Sequence, residues 1–331
     1  KINKYLINFW SIVRKIGVIG GSGFIGSFLI DKLGVNKTLN FDKNPSVKYE
    51  KITTIGNILN KSELDSFLKD IDCVVLLAAE HKDNIDPVSL YYDVNVEGTK
   101  NVLDLMSEHN INHLIFTSTV AIYGLDKKYP SENTIPEPFN HYGKSKLMAE
   151  DQINNWYSKN PRNKSVTIIR PTVVFGENNR GNVYNLINQI RKGKFMMIGS
   201  GKNKKSIAYV GNIVSFIDNL ISSKPKGISV YNYCDLPNLN MSQLTSVIYD
   251  SFEKKKPLIK LPYFFAYLIG FFFDILSKIL KTEFPISRIR IKKFISNSVY
   301  DSKKSHTIFN QKYNLEESIR KTIIFEFNKN C

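Results

Sequence analysis

Two side chains spaced for proton transfer, Tyr142 and Lys146, lie four positions apart at the start of a predicted helix. Side chains at this spacing share one helical face. A tyrosine with its ordinary pKa of about 10 is a poor base at neutral pH, but a nearby ammonium group stabilises the phenolate and lowers that pKa. The pair therefore has the chemistry to remove a proton from a substrate hydroxyl.

Hydroxyl side chains precede this pair in the segment 116–124, which reads FTSTVAIYG. The segment begins inside a predicted strand over residues 114–118. A hydroxyl at the end of that strand can hydrogen-bond the substrate oxygen beside Tyr142.

A glycine-rich loop, GGSGFIG over residues 20–26, stands between a predicted strand and a predicted helix. Glycines allow a tight turn and let the backbone approach a pyrophosphate, which the helix N-terminus then binds. Asp42 ends the next strand, 16 residues after Gly26. A carboxylate there accepts hydrogen bonds from ribose hydroxyls and repels a 2′-phosphate. The cofactor is therefore predicted to be NAD, although the neighbouring Lys43 leaves NADP open.

Strands and helices alternate along the first half of the chain. Apolar runs predict strands over residues 16–19, 38–41, 73–78, 114–118 and 166–169, and helices over 23–32, 89–108 and 142–156. This order is typical of an α/β fold, a Rossmann-type doubly wound parallel sheet. The predicted NAD-binding domain covers 15–170, with 205–222 returning to it. A smaller, mainly substrate-binding lobe covers 171–331.

Composition excludes several classes of protein. The apolar fraction of 42% is typical of a folded chain. The cysteines, Cys73, Cys234 and Cys331, are far apart, and no His/Cys spacing fits a metal site, so we expect reduced thiols and no bound metal. His81 and His141 have no triad partner, so we expect them to be local polar residues. No secretory signal is visible, and together with the reduced thiols this predicts a cytoplasmic protein.

The net charge of +16 is concentrated in one region. Residues 254–304 hold twelve Lys or Arg against three acids, a net +9. Nucleic-acid binding is not predicted, because no nucleic-acid motif is present. The segment 261–273, LPYFFAYLIGFFF, is uncharged but shorter than the roughly 20 residues that span a bilayer, so it is either a core helix or an interfacial element.

The first fourteen residues form a separate predicted extension. Five apolar residues fall on one helical face: Ile2, Leu6, Phe9, Trp10 and Val13. A basic amphipathic helix of this kind either lies on a membrane or packs on the protein.

Together these motifs resemble the extended short-chain dehydrogenases/reductases, the NAD-dependent epimerase/dehydratase family. In that family the catalytic Ser or Thr stands five residues before the glycine of a "YG" pair, which is Thr119 here, with Ser118 as the alternative. Asn95 matches the family's "NVxGT" segment, and Asn57 stands where the family usually has aspartate. The resemblance implies cofactor contacts from Gly20, Gly23, Phe24, Ile25, Gly26, Asp42, Asn57, Ile58, Ala78, Asn95, Tyr142, Lys146 and Pro171.

Several longer stretches look like the bacterial N-acetylglucosaminyl-diphospho-undecaprenol 4-epimerases. These are LLAAEH at 76–81, LYYDVN at 90–95, NHYGKSK at 140–146, IIRPTVVFGE at 168–177, NRGNVYNL at 179–186 and AYVGNIV at 208–214. The resemblance implies C4 epimerisation of a lipid-linked N-acetylglucosamine for surface-glycan or O-antigen synthesis. Tyr142 would take the O4 proton, and NAD would accept and return the C4 hydride.

The segment that holds the nucleotide diphosphate in related UDP-sugar enzymes departs from their pattern. Val173 stands where those enzymes commonly have asparagine, and 205–212 reads KSIAYVGN instead of RxFxHVxD. This favours a carrier without uridine. Arg180, Asn182 and Lys205 are the candidate diphosphate contacts, beside Thr119 and Tyr142 at the sugar.

The expected partners are a lipid-linked sugar and the cytoplasmic face of an anionic membrane, where the protein would be peripherally bound. A homodimer through two long helices of the first domain is a family expectation. The alternatives are a soluble UDP-sugar 4-epimerase, a keto-sugar reductase or steroid-type dehydrogenase, and a non-enzymatic NAD-binding regulator. The presence of Thr119, Tyr142 and Lys146 disfavours the regulator.

Overall fold

The computed structural model describes residues 15–82, 85–125, 127–257, 260–280, 282 and 287–327. For Lys278 it describes the backbone only. The predicted extension 1–14, Cys331 and parts of the 254–304 region lie outside the described residues.

Eleven strands are formed in the described part of the chain. They are β1 (Ile16–Ile19), β2 (Thr38–Asp42), β3 (Thr53–Ile55), β4 (Cys73–Leu76), β5 (His113–Thr117), β6 (Ser165–Pro171), β7 (Val173–Phe175), β8 (Lys204–Lys205), β9 (Ile207–Tyr209), β10 (Gly227–Tyr233) and β11 (Leu239–Asn240). Single-turn elements follow two of the longer strands: a 3₁₀ turn at Glu50–Ile52 after β2 and another at Val120–Tyr123 after β5.

Twelve α-helices are formed in the same residues. They are α1 (Phe24–Leu33), α2 (Lys61–Leu68), α3 (Ser89–Tyr92), α4 (Gly98–Glu108), α5 (His141–Lys159), α6 (Asn182–Arg191), α7 (Val210–Ser223), α8 (Met241–Ser251), α9 (Tyr263–Leu280), α10 (Arg288–Ile295), α11 (Lys303–Ile308) and α12 (Leu315–Phe327). A π-helical turn, Asp93–Glu97, joins α3 to α4. None of the described helices is both long and apolar enough to cross a membrane.

The main sheet has seven strands in the order β10-β6-β5-β4-β1-β2-β3. β1 pairs in parallel with both β2 and β4, so the strand order reverses at β1. In such folds the carboxyl ends of the strands at this reversal form the ligand crevice. β1 and β4 are buried along their whole length, as expected for strands covered by helices on both faces. The predicted Rossmann-type fold is confirmed.

The predicted element limits were close for the long elements. The third predicted strand, 73–78, ends earlier, because the Leu77 and Ala78 amides both donate to the carbonyl oxygen of Ile19. The predicted strand 166–169 extends through Pro171. The short pairs β7–β9 and β8–β11 had no recognisable sequence pattern.

The chain divides into two compact units, each made of three stretches. The first comprises Lys1–Thr117, Met148–Thr167 and Leu220–Ser229, and the second comprises Ser118–Leu147, Ile168–Asn219 and Val230–Cys331. These stretches interleave along the chain, and the predicted domain limits stay a prediction.

A buried polar network stabilises the second unit around Tyr123. Its hydroxyl donates to Asn232 Oδ1 at 2.7 Å and accepts from the Arg170 guanidinium at 2.8 Å. The Asn232 amide N–H in turn donates to the Glu132 carboxylate at 2.8 Å. Buried polar groups of this kind stabilise a fold only when they have hydrogen-bond partners.

Tyr123→Phe should therefore lower the free energy of unfolding by about 1–3 kcal/mol, because buried partners lose a hydrogen bond. Urea denaturation followed by circular dichroism would measure this. Tyr129→Phe, which removes a hydroxyl from an exposed side chain, is the matched control. Equal losses in both variants would contradict the network's role.

Candidate functional site

The glycine loop in the first unit needs glycine for steric reasons. Gly20 has a φ of +93°, and a methyl group on it would lie 2.6 Å from the Ala78 amide nitrogen. A methyl group on Gly26 would lie 2.5 Å from the Gly20 carbonyl oxygen. No side chain larger than glycine fits either position without moving backbone, so the loop packs tightly against β4 and α1.

The amino end of α1 is open to an anion. Its N-cap residue, Gly23, provides no side-chain hydrogen bond, and its first turn has no acidic residue. The amide groups of the first turn, which begins with Phe24 and Ile25, therefore retain donor capacity next to the positive end of the helix dipole. This arrangement fits the pyrophosphate of a dinucleotide.

Asp42 lies beside the glycine loop at the end of β2. One carboxylate oxygen accepts from the Ser22 amide at 3.0 Å, and the other accepts from the Asn44 amide at 2.9 Å. These bonds orient the buried carboxylate. Lys43, whose charge left NADP open, forms an ion pair with Glu80. The cation is therefore compensated within the same unit, which favours NAD.

Asn95 supports the segment that follows β4. Its side-chain oxygen accepts from the Glu80 amide at 2.8 Å, and its side-chain nitrogen donates to the Glu80 carbonyl at 3.0 Å. The residue is almost fully buried in the π-helical turn. These two bonds fix the backbone just after Ala78, in line with the supporting role that the resemblance implies.

The predicted adenine-side residues occupy the loop after β3. The exposed Asn57 accepts a hydrogen bond from the Leu59 amide at 3.0 Å, and its own amide donates to Glu63 at 2.8 Å. Ile58 is buried against Gly98, where a methyl group would lie 2.8 Å from its side chain. Their contact with a cofactor remains a prediction.

In the second unit, a tight turn brings Thr119 to Tyr142. The Thr119 hydroxyl accepts from the Ala121 amide at 3.1 Å and so caps the 3₁₀ turn Val120–Tyr123. It also forms a side-chain hydrogen bond with Tyr142. The Ser118 hydroxyl is buried and has no hydrogen-bond partner among the described residues. Thr119 is thus the better placed of the two predicted hydroxyls.

Helix α5 begins directly against this turn. The Asn140 side chain accepts from the Gly143 amide at 2.8 Å and caps the helix. A methyl group at Gly143 would lie 2.8 Å from the Ala121 carbonyl oxygen. Glycine at this position therefore lets Tyr142 approach Thr119. Lys146 follows one turn later and is nearly fully buried.

The protein environment sets the acidity of Tyr142. Burial raises the pKa of Tyr142 above its ordinary value of 10.0, and the hydrogen bond with Thr119 partly opposes that increase. Tyr142 is half-buried. A nearby positive charge would lower the pKa, and Lys146, on the same helical face, remains the residue predicted to supply it.

The candidate diphosphate contacts have protein partners in the second unit. Lys205 Nζ donates to the carbonyl oxygens of Lys293 at 2.8 Å and Ser296 at 2.7 Å, and desolvation lowers the pKa of Lys205 to about 8. Arg180 forms an ion pair with Glu326 at 2.5 Å. Asn182 is the first residue of α6. Lys205 thus binds the end of α10, and the diphosphate assignment of all three remains a prediction.

Tyr123 and Arg170, whose hydrogen bond stabilises the turn Val120–Tyr123, were not predicted to have a supporting role. Both lie in stretches that carry the family resemblance. Val120 and Ile122 are buried in the same turn and pack with Leu147 and Tyr300. In the described residues, no three His, Cys, Asp or Glu side chains come together as a metal site would require.

Comparisons with known proteins agree with this geometry. A profile of the family described as "NAD dependent epimerase/dehydratase family" matches residues 16–234. The chain is 49% identical, over 94% of both proteins, to N-acetyl-alpha-D-glucosaminyl-diphospho-ditrans,octacis-undecaprenol 4-epimerase of Escherichia coli O157:H7. It is 27% identical to mouse sterol-4-alpha-carboxylate 3-dehydrogenase, over 96% of this chain and 92% of that one.

Solved structures share the fold at low identity. The UDP-N-acetylglucosamine 4-epimerase of Bacillus cereus superposes with a TM-score of 0.72 at 20% identity, covering 95% of this chain and 96% of that one. The NAD complex of UDP-glucose 4-epimerase from Thermus thermophilus has a TM-score of 0.72 at 19% identity, covering 96% of this chain and 100% of that one.

Removing the Thr119 hydroxyl should make Tyr142 harder to ionise, because its hydrogen bond lowers the tyrosine pKa. In Thr119→Val we therefore expect the pKa of Tyr142 to rise. Tyrosinate absorbance measured against pH, with the same titration of the corresponding Tyr142→Phe protein subtracted, isolates this group. Thr119→Ser keeps the hydroxyl and should show no shift; an unshifted Thr119→Val would refute the contact.

Asp42→Asn should weaken NAD binding about tenfold, because a charged acceptor for the ribose hydroxyls becomes neutral. NADP binding should strengthen relative to NAD, since repulsion of the 2′-phosphate is removed. Calorimetric titration with each dinucleotide measures both effects. Asp70→Asn, which makes the same charge change at an exposed position, is the matched control and should bind both dinucleotides as the wild type does. A wild-type protein that bound NADP more tightly than NAD would overturn the assignment.

Proposed function

The chain belongs to the NAD dependent epimerase/dehydratase family, and we propose that it is an isomerase that interconverts N-acetylglucosamine and N-acetylgalactosamine at C4 while the sugar is attached to a polyprenyl diphosphate. The observation that carries this proposal is the 49% identity, over 94% of both chains, to a protein named for that activity. UDP-glucose 4-epimerases match at 25–31% identity. The product would supply surface-polysaccharide assembly.

The residues present fit the cofactor. The open helix end, the close-packed glycines and the oriented Asp42 carboxylate are suited to pyrophosphate and ribose. NAD, when bound, takes the hydride from C4 and returns it, so the reaction has no net oxidation and the cofactor is not consumed. Asn95 and Ala78 keep the loop after β4 in place beside the glycine turn.

The catalytic side chains handle the proton. Tyr142, as phenolate, takes the proton from the sugar O4 and returns it after the keto sugar has turned over. Thr119 hydrogen-bonds the same oxygen and fixes its direction. Lys146 stabilises the phenolate and so offsets the rise in pKa that burial imposes on Tyr142. Loss of the proton from O4 and of the hydride from C4 would together convert this CH–OH group to a ketone, and their return would restore it.

We further infer that the enzyme works as a peripheral protein at the cytoplasmic face of an anionic membrane. The net +9 of residues 254–304 supports this, because clustered Lys and Arg are attracted to anionic lipid. A carrier that is anchored in the bilayer presents its sugar at that surface. The predicted homodimer remains a prediction.

A direct substrate comparison tests the proposed function. Purified enzyme without added cofactor should epimerise GlcNAc-diphospho-polyprenol at least about tenfold faster than UDP-GlcNAc, measured by chromatography of the released sugars. Equal or faster conversion of UDP-GlcNAc would favour a soluble UDP-sugar epimerase instead. Net formation of NADH with a keto-sugar product would indicate a dehydrogenase.

Tyr142→Phe tests the role of the base. The variant should keep NAD affinity but lose turnover by a factor of roughly 10² or more, because no group remains to take the O4 proton. Tyr157→Phe, on the same helix, is the matched control. Appreciable residual epimerisation in Tyr142→Phe would show that another residue is the base.

A further inference from the structure

Helix α9 shows the reverse of the usual pattern for a helix on a protein surface. Its small residues, Ala266 and Gly270, face the protein, and Ala266 is only 1% exposed. Its large apolar residues face outward, with Phe264 65% and Phe272 61% exposed. The other exposed apolar side chains of the helix are Tyr263, Phe265, Tyr267, Leu268, Ile269, Phe271, Ile275, Ile279 and Leu280. A contiguous apolar surface of this kind marks an interaction site.

The orientation of α9 is fixed by specific contacts. A methyl group on Gly270 would lie 2.7 Å from the Ile291 side chain, so glycine allows α9 and α10 to pack closely. Arg288 and Asp274 join the two helices by an ion pair at 2.6 Å. At the start of α9, the Leu261 amide donates to the Met197 carbonyl at 2.8 Å. The apolar face is therefore held outward by packing on the other side.

Helix α10 supplies positive charge beside that face. Its sequence, RIRIKKFI, has four cations and no acid in eight residues. Arg290, Lys292 and Lys293 are exposed, and so is the apolar Ile289. Lys205 holds the end of α10 through the Lys293 and Ser296 carbonyls, which makes the cationic helix part of the folded unit.

This surface adjoins the catalytic segment within the second unit. Lys293 Nζ lies 4.9 Å from the centroid of the Phe139 ring. Phe139 directly precedes Asn140, the cap of the helix that carries Tyr142. Lys293 of α10 is therefore close to the segment that leads into the helix carrying Tyr142.

We propose that α9 and α10 form a membrane-docking element, which lies in the headgroup region of an anionic bilayer. The aromatic face of α9 inserts at the interface, and the α10 cations contact lipid phosphates. The proposal rests on the proposed function, since it specifies the surface that brings the enzyme to a lipid-linked sugar. α9 is 18 residues long and, as described above, does not meet the criteria for a spanning helix.

The charge distribution selects a bilayer over a second copy of the chain. In a symmetric dimer the same surface meets itself, so the α10 cations of two copies would be brought together. Among the described residues of α9 and α10, Asp274 is the acid available to offset them, and it is already paired with Arg288. An anionic lipid surface meets the same cations with opposite charge.

Vesicle sedimentation tests the element without any substrate. Wild-type protein should bind phosphatidylglycerol/phosphatidylcholine vesicles and not phosphatidylcholine vesicles, with binding reduced by salt. Phe264→Glu/Phe272→Glu and Arg290→Glu/Lys292→Glu should each weaken binding about tenfold or more. Val47→Glu/Ile324→Glu and Lys51→Glu/Lys69→Glu make the same charge changes at exposed positions elsewhere, and should stay within about twofold of wild type.

Activity on two carriers shows that the variants are folded. Turnover of GlcNAc-diphosphate on a short, water-soluble prenol should be unchanged in the α9 and α10 variants. Turnover of the long-chain substrate in vesicles should fall about tenfold with binding. If a variant loses both activities, circular dichroism will show whether it is folded, and the experiment is repeated with Phe264→Ser/Phe272→Ser. The proposal again requires reduced vesicle binding by that variant.

The outcomes separate this proposal from the proposed function. A wild-type enzyme that epimerises lipid-linked sugar but ignores anionic vesicles overturns the docking element alone. One that binds vesicles through α9 and α10 but epimerises only UDP-GlcNAc overturns the proposed substrate alone. A dimer that dissociates in Phe264→Glu/Phe272→Glu, with vesicle binding unchanged, assigns the face to a second copy.

Discussion

The close approach of α5 to the turn after β5 is the constraint on which the catalytic arrangement depends. Tyr142 reaches Thr119 because Gly143 has no side chain to collide with the Ala121 carbonyl, and because Asn140 caps the helix at that point. The turn itself is held in place, because the Tyr123 hydroxyl is hydrogen-bonded to Asn232 and Arg170. The position of Tyr142 beside Thr119 is thus set by contacts of the neighbouring residues Gly143 and Asn140.

The ionisation of Tyr142 also depends on its surroundings at the start of α5. Partial burial makes Tyr142 harder to ionise, and the hydrogen bond with Thr119 offsets only part of that effect. Lys146 is buried one turn away, where a charge loses hydration but acts through a medium of low polarity. Its desolvation is costly, and in the proposed mechanism the Tyr142 phenolate gives the charge a counterpart.

The sequence predicted what short-range pattern determines. The buried strands, the glycine loop and the Tyr142/Lys146 spacing are local features, and each appeared where it was expected. The Tyr123–Asn232 bond joins residues 109 positions apart, and no periodicity or motif encodes such a pair. Lys205 was assigned to the diphosphate from its place in a motif, whereas its hydrogen bonds go to carbonyls 88 and 91 residues away. Composition alone left the 261–273 segment open between core and interface, because both need apolar residues. In the structure most large side chains of the segment are exposed, so it is not a core helix, and contact with a membrane remains a proposal.

A substrate with a long polyprenyl tail imposes its own geometry on the enzyme. Moving such a tail into water costs about 0.8 kcal/mol for each CH₂ group, so the polyprenyl tail does not leave the bilayer at any useful rate. An enzyme that acts on such a substrate must therefore reach the sugar at the membrane surface. In the second unit, Phe139 links the cationic α10 to the segment that begins the catalytic helix. In the proposed docking mode, the α10 cations would contact lipid phosphates beside the segment that leads into α5, while the outward aromatic face of α9 would lie in the apolar layer beneath.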